Sequence, residues 1–211
     1  MDRVIALSPG QYFITGTDTD VGKTYFTCHW LQQLAAEGYQ TTALKPMAAG
    51  AVEMPEGLRN ADALELQASM TEAMLYEHLN PVCYPEPVSP HLAAPMGQQI
   101  SAQELQQICQ PGLTQRSDYC LVEGAGGWLC PMNAQQTLAD FVQCLNIPVV
   151  LVVGMRLGCL NHALLTVQDI HAKGLILAGW VANGLEKPMP RLQDNIATLQ
   201  QRINAPCLAI L

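Results

Sequence analysis

Between Pro148 and Val153 the chain reads Pro-Val-Val-Leu-Val-Val, without one polar side chain. Successive strand side chains point to opposite faces, so an apolar run of this kind has no face to offer to water. It predicts a strand buried on both sides, which belongs in a mostly parallel sheet covered by helices on each face. The rest of the sequence alternates accordingly. Residues 11–15 read as a strand, and 23–37 as a helix stopped by Gly38 at a suitable C′ position. Residues 41–45 read as a second strand ended by Pro46, and 118–123 as a third. Ser101 and Glu104 form a capping box that opens a short helix. A helix over about 161–173, a strand over 175–181, a helix over about 190–203 and a closing strand over 207–211 complete the pattern. The stretch 46–101 is less regular and rich in proline, which predicts ordered loops with short helices. The expected architecture is α/β, one domain over residues 1–211. Ligands of such sheets bind at the carboxyl ends of the strands, so the loops after each strand carry the functional search.

The loop after the first strand is Gly16-Thr17-Asp18-Thr19-Asp20-Val21-Gly22-Lys23-Thr24. Placed between a strand and a helix, it turns successive backbone N–H groups and a helix N-terminus toward an anion. Lys23 can reach the β- and γ-phosphates, and the Thr24 hydroxyl can ligate Mg²⁺. The gap between Gly16 and Gly22 is one residue longer than in the strict G-x-x-x-x-G-K-[ST] pattern, but the Gly-Lys-Thr end and its context fit. This makes the fold P-loop NTPase-like. Taken alone, such a loop says only that a nucleotide binds.

Other strand ends narrow the chemistry. Glu123 closes an apolar strand just before Gly124-Ala125-Gly126-Gly127, where glycines permit close approach of a ligand to the backbone. A strand-terminal carboxylate can simply be solvated; beside a P-loop it can organise a metal. Asp62 is either an ordinary first-turn helix acid or the third member of a hard oxygen shell with Thr24 and Glu123, a set that suits Mg²⁺. Lys45 stands at the end of the second strand, on the edge where the phosphates should lie. A second cation there would stabilise charge during phosphoryl transfer. His91 and His162 are read as structural.

Composition excludes other classes. Ten Lys and Arg against 18 Asp and Glu give a net charge of -8, and no basic cluster exists to displace counterions from nucleic acid. The chain is 49% hydrophobic and only 13% charged, the opposite of a disordered segment. The most apolar stretch, 141–155, contains Gln143, Asn146 and Pro148 and is shorter than the ~18–20 residues of a membrane span. No basic start or apolar h-region follows Met1, so a cytoplasmic protein is expected. Its eight cysteines show no C-x-x-C pair, and are expected as small buried hydrophobes rather than as zinc ligands.

These residues together resemble the dethiobiotin synthetase family. The likeness rests on the run 16–24, Lys45-Pro46, Gly57-Leu58-Arg59-Asn60-x-Asp62 and Val122-Glu123-Gly124-Ala125-Gly126-Gly127. It continues through Val152-Val153-Gly154, Leu157-Gly158-Cys159-Leu160-Asn161-His162 and Ala178-Gly179-Trp180-Val181-Ala182-Asn183. The resemblance implies an ATP- and Mg²⁺-dependent ligase that makes a cyclic urea from diaminopelargonate and CO₂. One amine takes up CO₂ as a carbamate, whose oxygen attacks the γ-phosphorus to give a carbamic–phosphoric anhydride. The second amine then closes the ring and expels phosphate.

By that resemblance Lys23 and Lys45 hold the carbamate and γ-phosphate, with Thr19 bonding at the same locus. Asp20, Val21, Gly22, Lys23, Thr24 and Tyr25, with Gly124, Ala125 and Gly126, contact the nucleotide. Thr24, Asp62 and Glu123 organise the metal, while Asn183 and Gly184 lie at the adenine edge. Ala49 faces the substrate, and Gly158, Cys159, Leu160 and Asn161 of a partner in a homodimer receive its carboxylate tail at a helix N-terminus. Three departures are expected to matter. Ala49 stands where the family often has a serine, and Gly184 where it often has an acid. Family members also commonly continue past the last strand to cover the base, whereas this sequence ends at Leu211, so the expectation is a shortened chain or a base pocket closed by other means. Without the resemblance, a P-loop ATPase switch of the partitioning or division-site type and a non-catalytic nucleotide-binding module both stay open.

Overall fold

The computed structural model of the protein describes residues 3–184 and 189–211. Strand β1 (Gly10–Gly16) leads through the nucleotide loop into α1 (Lys23–Ala36), and the chain then crosses to β2 (Thr41–Leu44). The proline-rich stretch folds as short pieces: β3 (Met47–Ala48), the hairpin β4 (Val52–Met54) and β5 (Gly57–Arg59), α2 (Ala61–Ser69), α3 (Tyr76–Leu79), β6 (Val82–Cys83) and α4 (Pro90–Ala93). Then follow α5 (Ala102–Leu113), β7 (Tyr119–Glu123), α6 (Leu138–Leu145), β8 (Val149–Met155), α7 (Cys159–Ala172), β9 (Leu177–Gly184), α8 (Leu192–Arg202) and β10 (Cys207–Ile210).

Among the described residues the main sheet has six strands in the order β10-β9-β8-β1-β7-β2. Every pairing in it is parallel. The expected α/β architecture is therefore the observed one. Alternate side chains feed two cores. Phe13, Val122, Leu151, Val153 and Trp180 pack on one face under α5, α6, α7 and α8. Tyr12, Ile14, Leu121, Val150 and Val152 pack on the other against Phe26, Trp30 and Leu31 of α1. This double burial is the reason the run at 148–153 has no polar position. The chain leaves β1 for the edge strand β2, returns to β7 beside β1, and only then builds β8, β9 and β10 on the other side. The loop after β1 thus sits where the winding reverses, which is where open sheets of this type leave a crevice.

Several boundaries differ from the sequence expectation. The apolar stretch 141–155 divides into the end of α6, a left-handed Asn146 cap at φ 52° and then β8. Helix α6 had no expectation of its own; its start is a capping box of Thr137 and Asp140. Helix α7 begins two residues earlier than expected, directly after Gly158, so Cys159, Leu160 and Asn161 form its first turn. Strand β9 runs on through Asn183 to Gly184, which places the asparagine on the sheet. The Ser101–Glu104 capping box forms as expected, with both reciprocal bonds present. All eight cysteines are free thiols. Cys109, Cys120 and Cys159 are buried, and burial pushes the Cys109 thiol up to about 12. No helix among the described residues is long and apolar enough to cross a membrane.

Candidate active site

The nucleotide loop takes its shape from two left-handed residues, Asp20 at φ 55° and Gly22 at φ 84°. Gly22 is the N-cap of α1, and a side chain there would be strained, since φ is positive and a Cβ would stand 2.0 Å from Asn183 Nδ2 and force it to move. That amide fills the space instead and donates to Val21 O at 2.9 Å, pinning the loop to β9. Lys23 folds back over the loop and donates to Asp18 O at 3.1 Å. Burial, aided by the neighbouring Lys45 charge, lowers the Lys23 pKa. On the outer side Arg156 ion-pairs with Asp18.

Behind the loop lies a buried cluster of opposite charges. Lys45 Nζ donates to Glu123 Oε1 and to Asp62 Oδ2, each at 2.7 Å, and to Gly124 O at 3.3 Å. Thr24 donates to the same Glu123 oxygen at 2.7 Å, and Thr27 donates to Oε2 at 2.8 Å. Glu123 is wholly buried and Lys45 nearly so, whereas the Asp62 side chain is 46% exposed. Burial opposes the Lys45 charge, but the attraction of Glu123 and Asp62 outweighs it and raises the ammonium pKa. Asp62 answers in kind. Its desolvation would raise its pKa, yet the ammonium beside it holds the carboxyl below its usual value.

A cavity of about 720 Å³ opens over this cluster, lined by Thr19, Asp20, Lys23, Thr24, Lys45 and Asp62. Ala49, Gly22, Ala125 and Gly126 also face it. A second cavity of about 390 Å³ continues past Thr19 and Gly126 between Trp128 and Leu165. The sequence-derived candidates divide accordingly. The loop residues, Lys45, Asp62 and Ala49 meet in one cavity, with Glu123 beneath it. Asn183 and Val21 are buried and bonded to each other, outside the cavity lining. Tyr25 is 46% exposed. Gly184 also lies exposed, where its N–H donates to Leu211 O. Gly158, Leu160 and Asn161 do not line the larger cavity, and Gly158 and Asn161 are exposed. His162 borders the second cavity, and His91 keeps a buried Nδ1 among the described residues without a hydrogen-bond partner.

Two participants were given no role by the sequence: Thr27, and Asn60, which entered only as part of a motif. Thr27 looks like an ordinary interior helix threonine; its signal was its spacing one turn after Thr24, which puts both hydroxyls on one face. Asn60 caps α2 by accepting from Ala63 N at 3.2 Å and also donates to Ala49 O at 3.2 Å, tying the two walls of the cavity together. Oxygens of Asp62 and Glu123 already converge on one positive charge, and the Thr24 hydroxyl bonds to the same Glu123 oxygen, so the locus fits a hard cation. Among the described residues no three His, Cys, Asp or Glu side chains gather into a metal centre. A divalent ion here would need phosphate oxygens and water to fill its shell, as Mg²⁺ usually does.

Residues 10–211 match the family described as "AAA domain". An ATP-dependent dethiobiotin synthetase BioD from Cellvibrio japonicus is 52% identical over 97% of this chain and 90% of its own length. The BioD of Pseudescherichia vulneris is 48% identical over 94% of this chain and 82% of its own. Among solved structures, the signal recognition particle receptor FtsY from Elizabethkingia anophelis aligns with a TM-score of 0.55 at 16% identity. That alignment covers 97% of this chain but only 59% of FtsY. The septum site-determining protein MinD from Pyrococcus horikoshii, complexed with Mg-ADP, aligns with a TM-score of 0.52, also at 16% identity, over 95% of this chain and 80% of MinD. Structural likeness at such low identity speaks to the fold alone, whereas the two synthetases match nearly end to end. The chain belongs to the ATP-dependent dethiobiotin synthetase family.

Proposed function

We propose that this enzyme closes the ureido ring of dethiobiotin from diaminopelargonate, CO₂ and ATP, and that Lys45 is the residue on which the chemistry turns. The observation that carries the reading is the Lys45 ammonium itself, held at the cavity edge by Glu123 and Asp62, opposite Lys23. A protein that only hydrolyses ATP has no need of a second buried lysine at this place. Here a carbamate and a γ-phosphate, both anionic, must approach each other, and two ammonium groups offset that repulsion.

The protein has little covalent work to do, so its residues act by position and charge. The backbone N–H groups of the loop and Lys23 hold the phosphates. Thr24, Asp62 and Glu123 would hold Mg²⁺. When bound, Mg-ATP supplies the phosphoryl group and part of the charge neutralisation. Thr19 faces the same cavity and offers a hydroxyl to the carbamate. Asn183 lies against the loop at the edge suited to the adenine. Ala49 lines the cavity without a hydroxyl, so one substrate hydrogen bond would be missing or replaced there. The second cavity, with Trp128, Leu129 and Leu165 in its lining, suits the methylene chain. The turn at Gly158–Asn161 lies outside the chain's own larger cavity and next to Leu157, which is 96% exposed. Its N–H groups would receive the substrate carboxylate across a two-fold dimer.

The test is ATP-to-ADP turnover with and without diaminopelargonate plus bicarbonate, with dethiobiotin followed by mass spectrometry. Turnover should depend on the diamine and match the product formed. Hydrolysis indifferent to the diamine would overturn the reading and leave an ATPase switch.

A further inference from the structure

Lys45 and Asp62 come from different elements, the end of β2 and the first turn of α2, yet their side chains meet at 2.7 Å. The ion pair alone does not explain this, because two backbones must first be brought to a fixed separation. One hydroxyl joins them from behind. Tyr76 Oη accepts the Asn60 backbone N–H at 2.8 Å, at the N-cap of the helix that carries Asp62. The same hydroxyl donates to Asn80 Oδ1 at 2.9 Å. Asn80 Nδ2 in turn donates to Lys45 O at 2.6 Å and to Val82 O at 3.4 Å. The Lys45 N–H is held by Leu79 O at 2.7 Å, so both sides of that residue are fixed by one short segment.

The direction of this relay is set by its ends. Lys45 O and Val82 O can only accept, so Asn80 must turn its NH₂ toward them and its oxygen toward Tyr76. The Asn60 N–H can only donate, so the phenol must spend its own proton on Asn80. Burial raises the phenol pKa, which keeps that proton in place at neutral pH. Asn60, Tyr76 and Asn80 are all buried, and the Arg59 guanidinium lies 4.1 Å over the Tyr76 ring. Of the three, Asn60 lines the cavity, while Tyr76 and Asn80 lie behind its wall.

We infer that Tyr76 and Asn80 are positioning residues for the reaction: they set the separation of Lys45 from Asp62 and so hold both lysine and carboxylate where the phosphate and cation are handled. The inference rests on the proposed ring-closing reaction only for its kinetic consequence; the geometric consequence is independent of it.

Both consequences are measurable on the full chain. Tyr76→Phe keeps the ring and removes only the shared hydroxyl. It should lower kcat about tenfold or more and raise the Mg²⁺ concentration for half-maximal turnover, with the ATP KM within about twofold. The second readout needs no ligand. In protein labelled with ¹⁵N-lysine, the buried Lys45 ammonium should give a slowly exchanging Nζ signal, assigned by its loss in Lys45→Met. Tyr76→Phe should broaden or shift that signal. Ile196→Ala, in the core of α8, serves as the control for general destabilisation and should lower Tm with kcat and the Lys45 signal unchanged. Asn80→Ala cuts the link to Lys45 while leaving the Tyr76–Asn60 bond, and should repeat both changes if Tyr76→Phe does not fold. A wild-type kcat and an unmoved Lys45 signal in the folded variants would overturn the inference. Failure of the ring-closing reading would instead show as diamine-independent turnover in the unsubstituted enzyme.

Discussion

Lys45 and Lys173 both end on carboxylates, at 2.7 Å from Glu123 and Asp62 in one case and 3.0 Å from Asp140 in the other. The distances are close, but the surroundings are not. Lys45 and Glu123 have side chains 4% and 0% exposed, against 22% and 28% for Lys173 and Asp140. In the surface pair, water competes for both charges, and the bond does little beyond tying the end of α7 to the start of α6. In the buried cluster neither charge can return to water, so each exists only because the other is there. A fold that needed stability alone would do as well with apolar side chains at such a place. The cluster therefore marks the place where function, rather than stability, decides which residues stand.

Glu123→Ala should give the largest effect, because it strands Lys45 with only the half-exposed Asp62. We expect a loss of about 3–5 kcal/mol in unfolding free energy, read by urea denaturation, together with loss of turnover. A loss below ~1 kcal/mol would erase the contrast with the surface pair. Lys45→Ala comes next. It should lower kcat by about 10²–10³-fold while ATP still binds by calorimetry, because Lys23 and the loop are intact. Near-normal turnover would show that the second cation is misplaced. Asp140→Asn should be the smallest, within about 1 kcal/mol at neutral pH. Its pH dependence has a definite sign. Partial desolvation would raise the Asp140 pKa, but the Thr137 N–H and Lys173 more than offset this and lower it. Its contribution is thus present above about pH 4 and is lost as the pH falls through the depressed folded value. Asp140→Asn should flatten that acid limb in a series of urea melts, and an unchanged slope would remove Asp140 from the account.

How much of this could be read from the sequence follows the range of the forces involved. The strand at 148–153 and the nucleotide loop declare themselves because periodicity and glycine spacing are local. Glu123 and Lys45 were legible as strand ends, since a sheet of this kind gathers its strand ends at one edge. Helix α6 was hidden because Leu138, Phe141 and Val142 are apolar and merge with the run that becomes β8. Thr27 was hidden because its partner, Glu123, is 96 positions away. Tyr76 and Asn80 were invisible for a different reason: they bond to backbone groups, which every residue possesses, so no pattern of residue types announces them. The turn at Gly158–Asn161 was named through family resemblance alone, and within this chain it makes no contact with the larger cavity.

The bond from Asn183 to Val21 closes a span of 162 positions. It locks a loop that lies near the start of the chain with an amide that is synthesised near its end. The sheet partners of β1 also come later in the chain, since it pairs with β7 and β8 and not with β2, although α1 packs on its face. Such non-local closure makes folding slow, and its entropy cost must be met before any contact rewards it. A chain growing from its N-terminus therefore carries the whole loop sequence long before the amide that pins Val21 exists.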